Sequence, residues 1–285
     1  MITADDYRFL SELVHRQSGL SLGTGKEYLL ESRLPSVAAT YGFPDLTRMI
    51  SALRAGLAPH VVKSLCDAMT TNETLFFRDS KPFDVLRADV LPAAALRARA
   101  LGRPVRIWCA ASSTGQEPYS IAMLVAQMEA QLAGTEVQIT ATDYSAAVIA
   151  RARLGIYNQF EVQRGLPVQL LLKFFKPVAD GFELLPEIRR RVIFEENNLL
   201  HPFPANRQFD IIFCRNVLIY FDVPTKKDVI DRMAKLLTRG GTLFLGGTES
   251  TLGITDSVVR VQRHAAGVFC RPTELTLHEH AWNAA

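Results

Sequence analysis

The sequence predicts an α/β protein, with a small all-helical region at its start and a larger domain built on a parallel sheet. Three observations predict it. Up to about residue 75 apolar residues recur at helical spacing and no alternating strand pattern occurs. From Val105 onward short apolar runs alternate with helical patterns, as in β–α units that lay parallel strands between layers of helix. Between residues 156 and 191 that alternation is interrupted. The expected organisation is a helical domain over 1–78, a sheet domain over 79–285, and an insert at about 156–191 within it.

Each element has a local reason. Thr3 and Asp5 are candidate caps for a first helix whose apolar face is Tyr7, Leu10 and Val14, with Phe9 and Leu13 beside them. Gly19 and Ser21 to Gly25 end it, and a second helix runs from Glu27 to about Thr40, broken by Tyr41-Gly42-Phe43-Pro44-Asp45. Leu46 to Leu53 and Pro59 to Met69 complete the helical region, and Asp79 to Ala100 resumes helical spacing and leads to the sheet. Strands are expected at Val105–Cys109, Val137–Thr142, Arg191–Phe194, Phe209–Arg215 and Thr242–Leu245, with a hairpin-like finish over Ser257–Gln262 and Gly267–Cys270. Helices fall between them at Pro118–Leu132, Ala146–Leu154 and Thr225–Leu237, and Gly240-Gly241 reads as a turn. The insert reads as a helix and a short hairpin, with the basic triplet Arg189-Arg190-Arg191 as a solvated edge.

Composition excludes several function classes. A hydrophobic content of 48% with 21% charged residues describes a soluble globular protein with a substantial core. The net charge of +3 lacks the concentrated patch of a nucleic-acid binder, and residues 1–80 carry 8 basic against 9 acidic side chains. No apolar run approaches the roughly 20 residues that span a bilayer, and the start lacks a secretory leader, so a cytoplasmic protein without membrane insertion is expected. Cys66, Cys109, Cys214 and Cys270 lie too far apart for a C-x-x-C motif and read as buried thiols. The six histidines are scattered and His278-Glu279-His280 reads as a solvated tail, so no metal site is expected. Neither G-x-S-x-G nor H-E-x-x-H occurs.

The chemistry centres on Trp108 to Ala122, W-C-A-A-S-S-T-G-Q-E-P-Y-S-I-A: a strand, a small-residue turn and the start of a helix. Open α/β sheets bind ligands at such turns. Pro118 suits the first helical turn, where its missing N–H has no partner to lose, and Glu117 stands over the crevice. Asp143 ends the second strand about 30 residues later, the place of the acid that accepts from ribose hydroxyls. The turn lacks G-x-G-x-x-G, since Ala110, Ser112 and Thr114 occupy it with Gly115 alone, which argues against the pyrophosphate of NAD or FAD. A cofactor with a ribose and no phosphate, S-adenosylmethionine, fits better. Glu117 and Arg78 are opposite-charge partners for its ammonium and carboxylate.

Five segments then carry a resemblance. T-T-N-E-T-L-F-F-R-D at 70–79, A-S-S-T-G-Q-E-P-Y-S-I-A at 111–122, A-T-D-Y-S at 141–145, N-L-L at 198–200 and F-C-R-N-V-L-I-Y-F-D at 213–222 resemble the CheR-type chemotaxis receptor methyltransferases, in order and spacing. The resemblance implies a helical N-terminal domain, a Rossmann-like adenosylmethionine domain and an inserted β subdomain. It also implies methyl esterification of glutamate side chains on the cytoplasmic signalling helices of chemoreceptors, by an enzyme acting as a monomer. Matched position by position, the cofactor contacts would be Asn72, Thr74, Arg78, Glu117, Asp143, Asn198, Leu199, Arg215 and Asn216, leaving S-adenosylhomocysteine as product. Asn197 competes with Asn198 for the adenine edge, and a surface charge at the strand end is the plainer reading of Arg215. Tyr220 corresponds to the tyrosine near the methyl group, with Arg78 as the second catalytic residue.

This chain departs from the family at Gln116, where a glutamate is usual, and at Ser112, where Cys or Ala is usual. The insert is short beside members that dock a receptor's C-terminal peptide; direct binding of the receptor bundle through the N-terminal domain is the alternative. Three competing readings remain at this level: a methyltransferase for another substrate, a non-enzymatic module that binds the cofactor, and, least favoured, an NAD-dependent reductase.

Overall fold

Thr3 starts the chain's first helix, α1 (Ala4–Ser18), by accepting the Asp6 N–H at 3.1 Å, and Gly19 ends it at a φ of 77°. Helices α2 (Glu27–Thr40) and α3 (Leu46–Arg54) follow, and a tight turn at Pro59–Val61 leads into α4 (Val62–Met69). The computed structural model describes residues 2–203, 207–264 and 266–280. These helices bury Leu10, Val14, Leu30, Leu34, Met49 and Leu65 against one another. Arg33 donates to the carbonyls of Ala68, Met69 and Thr70 and so satisfies the end of α4. Residues up to Thr71 form one unit, which also takes in the distant segment Tyr220–Thr225. Within it the Ser21 N–H donates to the Tyr220 carbonyl at 2.8 Å, Leu20 bridges Phe221, and His15 Nε2 lies 3.0 Å from Asp222 Oδ2.

The second unit comprises Asn72–Ile219 and the residues from Lys226. It opens with α5 (Lys81–Val85), a π-helical turn at Leu86–Val90, and α6 (Leu91–Ala100). The sheet strands are β1 (Val105–Ala110) and β2 (Val137–Asp143), with α7 (Gln116–Gln127) between them and α8 (Ala146–Leu154) after them. The insert holds β3 (Ile156–Tyr157), α9 (Gln159–Gln163), α10 (Val168–Phe174), β4 (Phe175–Val178), β5 (Gly181–Leu184) and α11 (Pro186–Arg189). Then come β6 (Val192–Glu196), β7 (Phe209–Cys214), α12 (Val223–Leu236, its first three residues grouped with the helical unit), β8 (Leu237–Leu245), β9 (Val259–Arg260), β10 (Gly267–Cys270) and α13 (Leu275–His280). Among the described residues the main sheet has seven strands in the order β6-β2-β1-β7-β8-β10-β9, with β10 antiparallel to both neighbours. The order reverses between β1 and β7, so the crevice at their carboxyl ends is the switch point where such sheets bind ligands. Every residue of β7 is buried, which is why it reads as an unbroken apolar run.

Four local expectations need correction. Gly240-Gly241 is not a turn ahead of the strand but lies inside β8. Phe209 pairs with Leu237 and Ile211 with Thr242, so the glycines occupy a bulge, Gly240 at a φ of 71°. The insert holds a three-stranded sheet, β3-β5-β4, and more than one helix. The Arg189–Arg191 triplet is not a solvated strand. Arg189 donates to Leu154 O and Glu183, and Arg191 pairs with Glu129, ahead of the edge strand β6. His278 is buried in α13, not solvated, and burial lowers its pKa to about 4; the side chains of Glu279 and His280 lie outside the described residues. Cys66, Cys109, Cys214 and Cys270 are all buried, as the sequence predicts.

At the amino ends of β1 and β7 a fully buried Asp210 takes both guanidinium nitrogens of Arg103 at 2.8 Å, with Thr238 and the Arg106 N–H as further donors. Burial pushes the Asp210 carboxyl up, but these donors overcome it and hold the group below its usual range. Arg103→Ala leaves that carboxylate short of a cation and is expected to cost about 3 kcal/mol in denaturant unfolding at neutral pH. A depressed acid stabilises above its unfolded-state pKa of about 3.9 and loses that contribution as pH falls through its folded value. The deficit of the variant should therefore shrink below about pH 4.

Candidate functional site

The crevice is built on a strained turn. After β1 the chain places Ala111 at a φ of 54°, Ser113 at 50° and Gly115 at 95°. Left-handed backbone is costly for residues with a side chain and persists where surroundings enforce it. Six of the seven such non-glycine residues among those described lie in three segments, Phe77–Ser80, Ala111–Ser113 and Asn216. Gly115 is required twice over: by its φ, and because a Cβ there would stand 3.1 Å from Ala152, Tyr119 and Tyr157. The insert supports the same turn, since the Tyr157 hydroxyl donates to the Thr114 carbonyl at 2.8 Å.

Asp143, at the end of β2, closes the turn from the other side. Its Oδ2 accepts the Ser113 N–H at 2.8 Å and its Oδ1 the Ser145 N–H at 3.1 Å. Burial raises its pKa, partly offset by those backbone donors. Glu117, in the first turn of α7, is raised by burial as well, with the Arg215 cation beside it as the main opposing influence. Arg215, just past β7, has 1% of its side chain exposed and is no surface charge. Its guanidinium donates to Glu117 Oε2 at 2.8 Å, Asp79 Oδ2 at 2.7 Å and the Arg78 carbonyl at 2.9 Å. Three segments far apart in sequence are thus tied at one cation.

The segment from Asn72 to Asp79 is held by its neighbours. The Asn72 carbonyl accepts from the Ser113 hydroxyl at 2.8 Å, and the Phe77 N–H donates to Ser120 Oγ at 3.0 Å. Phe76 is fully buried, edge-on to Tyr157 and Phe175. Arg78 is half-buried and donates to the Glu73 carbonyl at 3.0 Å; Thr74 is half-buried nearby in sequence. Glu73 is held below its usual range by Arg164 of the insert, 2.9 Å away.

The remaining positions fall beside β6 and β7. Asn198 Oδ1 accepts the Leu200 N–H at 3.0 Å, and Leu199 is buried with its carbonyl taken by Arg232. Asn197 donates its N–H to the Asp143 carbonyl, and its Nδ2 is buried without a partner. Asn216 donates its N–H to Glu249 at 3.0 Å. Asn72, Thr74, Arg78, Glu117, Asp143, Asn198, Leu199, Arg215 and Asn216 all belong to the second unit, whereas Tyr220 belongs to the segment grouped with the helical unit. Gln116 is buried and accepts from the Thr114 hydroxyl at 2.8 Å, so the position that departs from the family pattern serves the turn itself.

Sequence reasoning did not single out Asp79, Ser113, Ser120 or Glu249. Asp79 carried one signal, its place in the motif next to Arg78. Glu249 carried another, an acid three residues after Gly246 at a strand end.

Residues 72–266 match the family described as CheR methyltransferase, SAM binding domain, and residues 5–70 match the CheR methyltransferase all-alpha domain. A chemotaxis protein methyltransferase of Vibrio parahaemolyticus is 40% identical over 264 residues, covering 92% of this chain and 94% of that one. One of Vibrio cholerae is 40% identical with the same coverage, and one of Pseudomonas putida is 38% identical over 90% of this chain and 94% of that one. With both of its regions matched and relatives similar over nearly their whole length, the chain belongs to the CheR family of chemotaxis methyltransferases.

Proposed function

We propose that the protein transfers the methyl group of S-adenosylmethionine to glutamate side chains on the cytoplasmic helices of chemoreceptors, forming glutamyl methyl esters. The observation that carries this reading is the pair of acids Glu117 and Asp143, whose charges burial disfavours, at a turn whose single glycine, Gly115, does not make a phosphate cradle. Perturbed acids in a strained crevice mark functional sites. The donor set fits the cofactor. Glu117 would take the ammonium through the oxygen that Arg215 does not use, and Arg78 the carboxylate. The Asp143 carboxylate, which also takes the backbone N–H groups of Ser113, Tyr144 and Ser145, would accept from the ribose hydroxyls. Asn72, Thr74, Asn198, Leu199, Arg215 and Asn216 complete the contacts.

The bound cofactor supplies a sulfonium-activated methyl group. The protein's own residues need little acid–base work, because a glutamate with a pKa of about 4.3 is already ionised at neutral pH. Arg78 and Tyr220 instead orient the incoming carboxylate, and alignment is the main source of rate. Tyr220→Phe is expected to lower kcat about tenfold or more, the worth of one hydrogen bond to a charged group, with little change in cofactor Kd. An unchanged kcat would remove Tyr220 from the reaction.

The enzyme is proposed to work in the cytoplasm as a monomer; among the described residues no helix is long and apolar enough to cross a membrane. Purified protein, methyl-labelled cofactor and receptor signalling fragments test the function. Label that enters the fragment and leaves as methanol in base supports ester formation on carboxylates. Alkali-stable label would place the reaction on another acceptor, and tight cofactor binding without transfer to any fragment would favour a binding module.

A further inference from the structure

Glu249 follows β8 and serves no role in the reaction described above, yet its carboxylate collects four backbone N–H groups. Oε1 accepts from Val217 at 3.0 Å and Leu218 at 2.8 Å; Oε2 accepts from Asn216 at 3.0 Å and Gly246 at 2.6 Å. Three of these donors form the turn that leaves β7. That turn begins with Asn216 at a φ of 59°, a conformation that has to be imposed on a residue with a side chain. Gly246 faces the same carboxylate. A Cβ there would lie 2.7 Å from Glu249 Oε2 and 3.0 Å from both the backbone nitrogen and Nδ2 of Asn216. Gly246 has no unusual φ, so the space it leaves, and not its flexibility, is what the site uses.

We infer that Glu249 is a positioning residue for cofactor binding. Its carboxylate locks the turn after β7, and so fixes the left-handed Asn216 and the direction of its side chain. The inference rests on the reading of Asn216 as a cofactor contact. Glutamine cannot replace the acid. Its amide nitrogen would turn N–H groups toward two of the four backbone donors, and the turn would relax toward right-handed backbone. A methyl group at Gly246 should do the same from the other side, by displacing a carboxylate that is still present.

The test is calorimetric binding of S-adenosylhomocysteine, well below the unfolding midpoint, to the full chain and to Glu249→Gln, Gly246→Ala and the double variant. Arg103→Ala serves as a control that loses stability at the opposite ends of the strands. Each single variant is expected to weaken binding about tenfold or more. The double variant should be little weaker than the worse single one, because both changes break one device. Arg103→Ala should unfold earlier and bind as the parent does. Parent-like binding by Glu249→Gln overturns the inference. So does Arg103→Ala losing as much affinity as Glu249→Gln for the same loss of stability. Failure of the parent itself to bind overturns the cofactor reading, and the inference with it.

Discussion

Arg215→Met is expected to cost about 3–5 kcal/mol of folding stability at neutral pH and far less near pH 4. The cation is almost fully buried, and of its two carboxylate partners Glu117 is the less exposed, at 12% of its side chain against 51% for Asp79. Losing the exposed pair with Asp79 costs little. Losing the pair with Glu117 strands a charge that burial already disfavours even with Arg215 beside it. Without the cation its carboxyl rises further. An acid whose folded pKa lies above the unfolded value, about 4.3, destabilises the fold progressively as pH rises between the two. The deficit of the variant should therefore open with rising pH, as read by denaturant unfolding across the range. A deficit equal at every pH would show that Glu117 is not the stranded group. Glu117→Gln combined with Arg215→Met should recover much of the stability, since a neutral pair of similar volume is often as stable as a buried ion pair. Cofactor binding should stay lost, because the charge proposed for the ammonium is gone. Stability and binding then separate in one variant.

What was legible in the sequence follows from what leaves a pattern. β1 and β7 are buried on both faces and read as apolar runs, and the cap of α1 and the breakers that follow α1 and α2 are local, so those ends fall where expected. That Glu117 and Asp143 stand beside one turn was legible, because the geometry of a parallel sheet brings the carboxyl ends of its strands together. Bonds between distant residues leave no such trace. The tie from Arg215 to Asp79 spans 136 positions, and the grip of Glu249 on Asn216 spans 33. A two-residue strand such as β3 has no alternation to read, and a bulge hides a strand behind a glycine pair that resembles a turn. The burial of His278 belongs to the same class, since it depends on what packs over a short helix and not on the polarity of its neighbours.

Asp143→Asn is expected to weaken S-adenosylhomocysteine binding by about 10²–10⁴-fold, two hydrogen bonds to a charged acceptor at about 1.5–3 kcal/mol each. Some loss of stability should accompany it, because both carboxylate oxygens also hold backbone N–H groups, of Ser113 and Ser145, and an amide offers only one acceptor oxygen. Affinity alone would then be ambiguous, since a disturbed turn also weakens binding. Analogues lacking the 2′- or the 3′-hydroxyl resolve it. If Asp143 reads the ribose, the parent should lose about tenfold or more for each missing hydroxyl, while Asp143→Asn should hardly distinguish the analogues from the full ligand. If the variant still discriminates as the parent does, Asp143 only braces the turn and another group reads the sugar. A second signature comes from titration. Ribose hydroxyls donate to the ionised carboxylate and so favour it, whereas burial raises the pKa of Asp143 in the free protein. Parent affinity should decline as pH falls through that raised value, and Asp143→Asn, with no carboxyl there to protonate, should lose this part of the pH dependence.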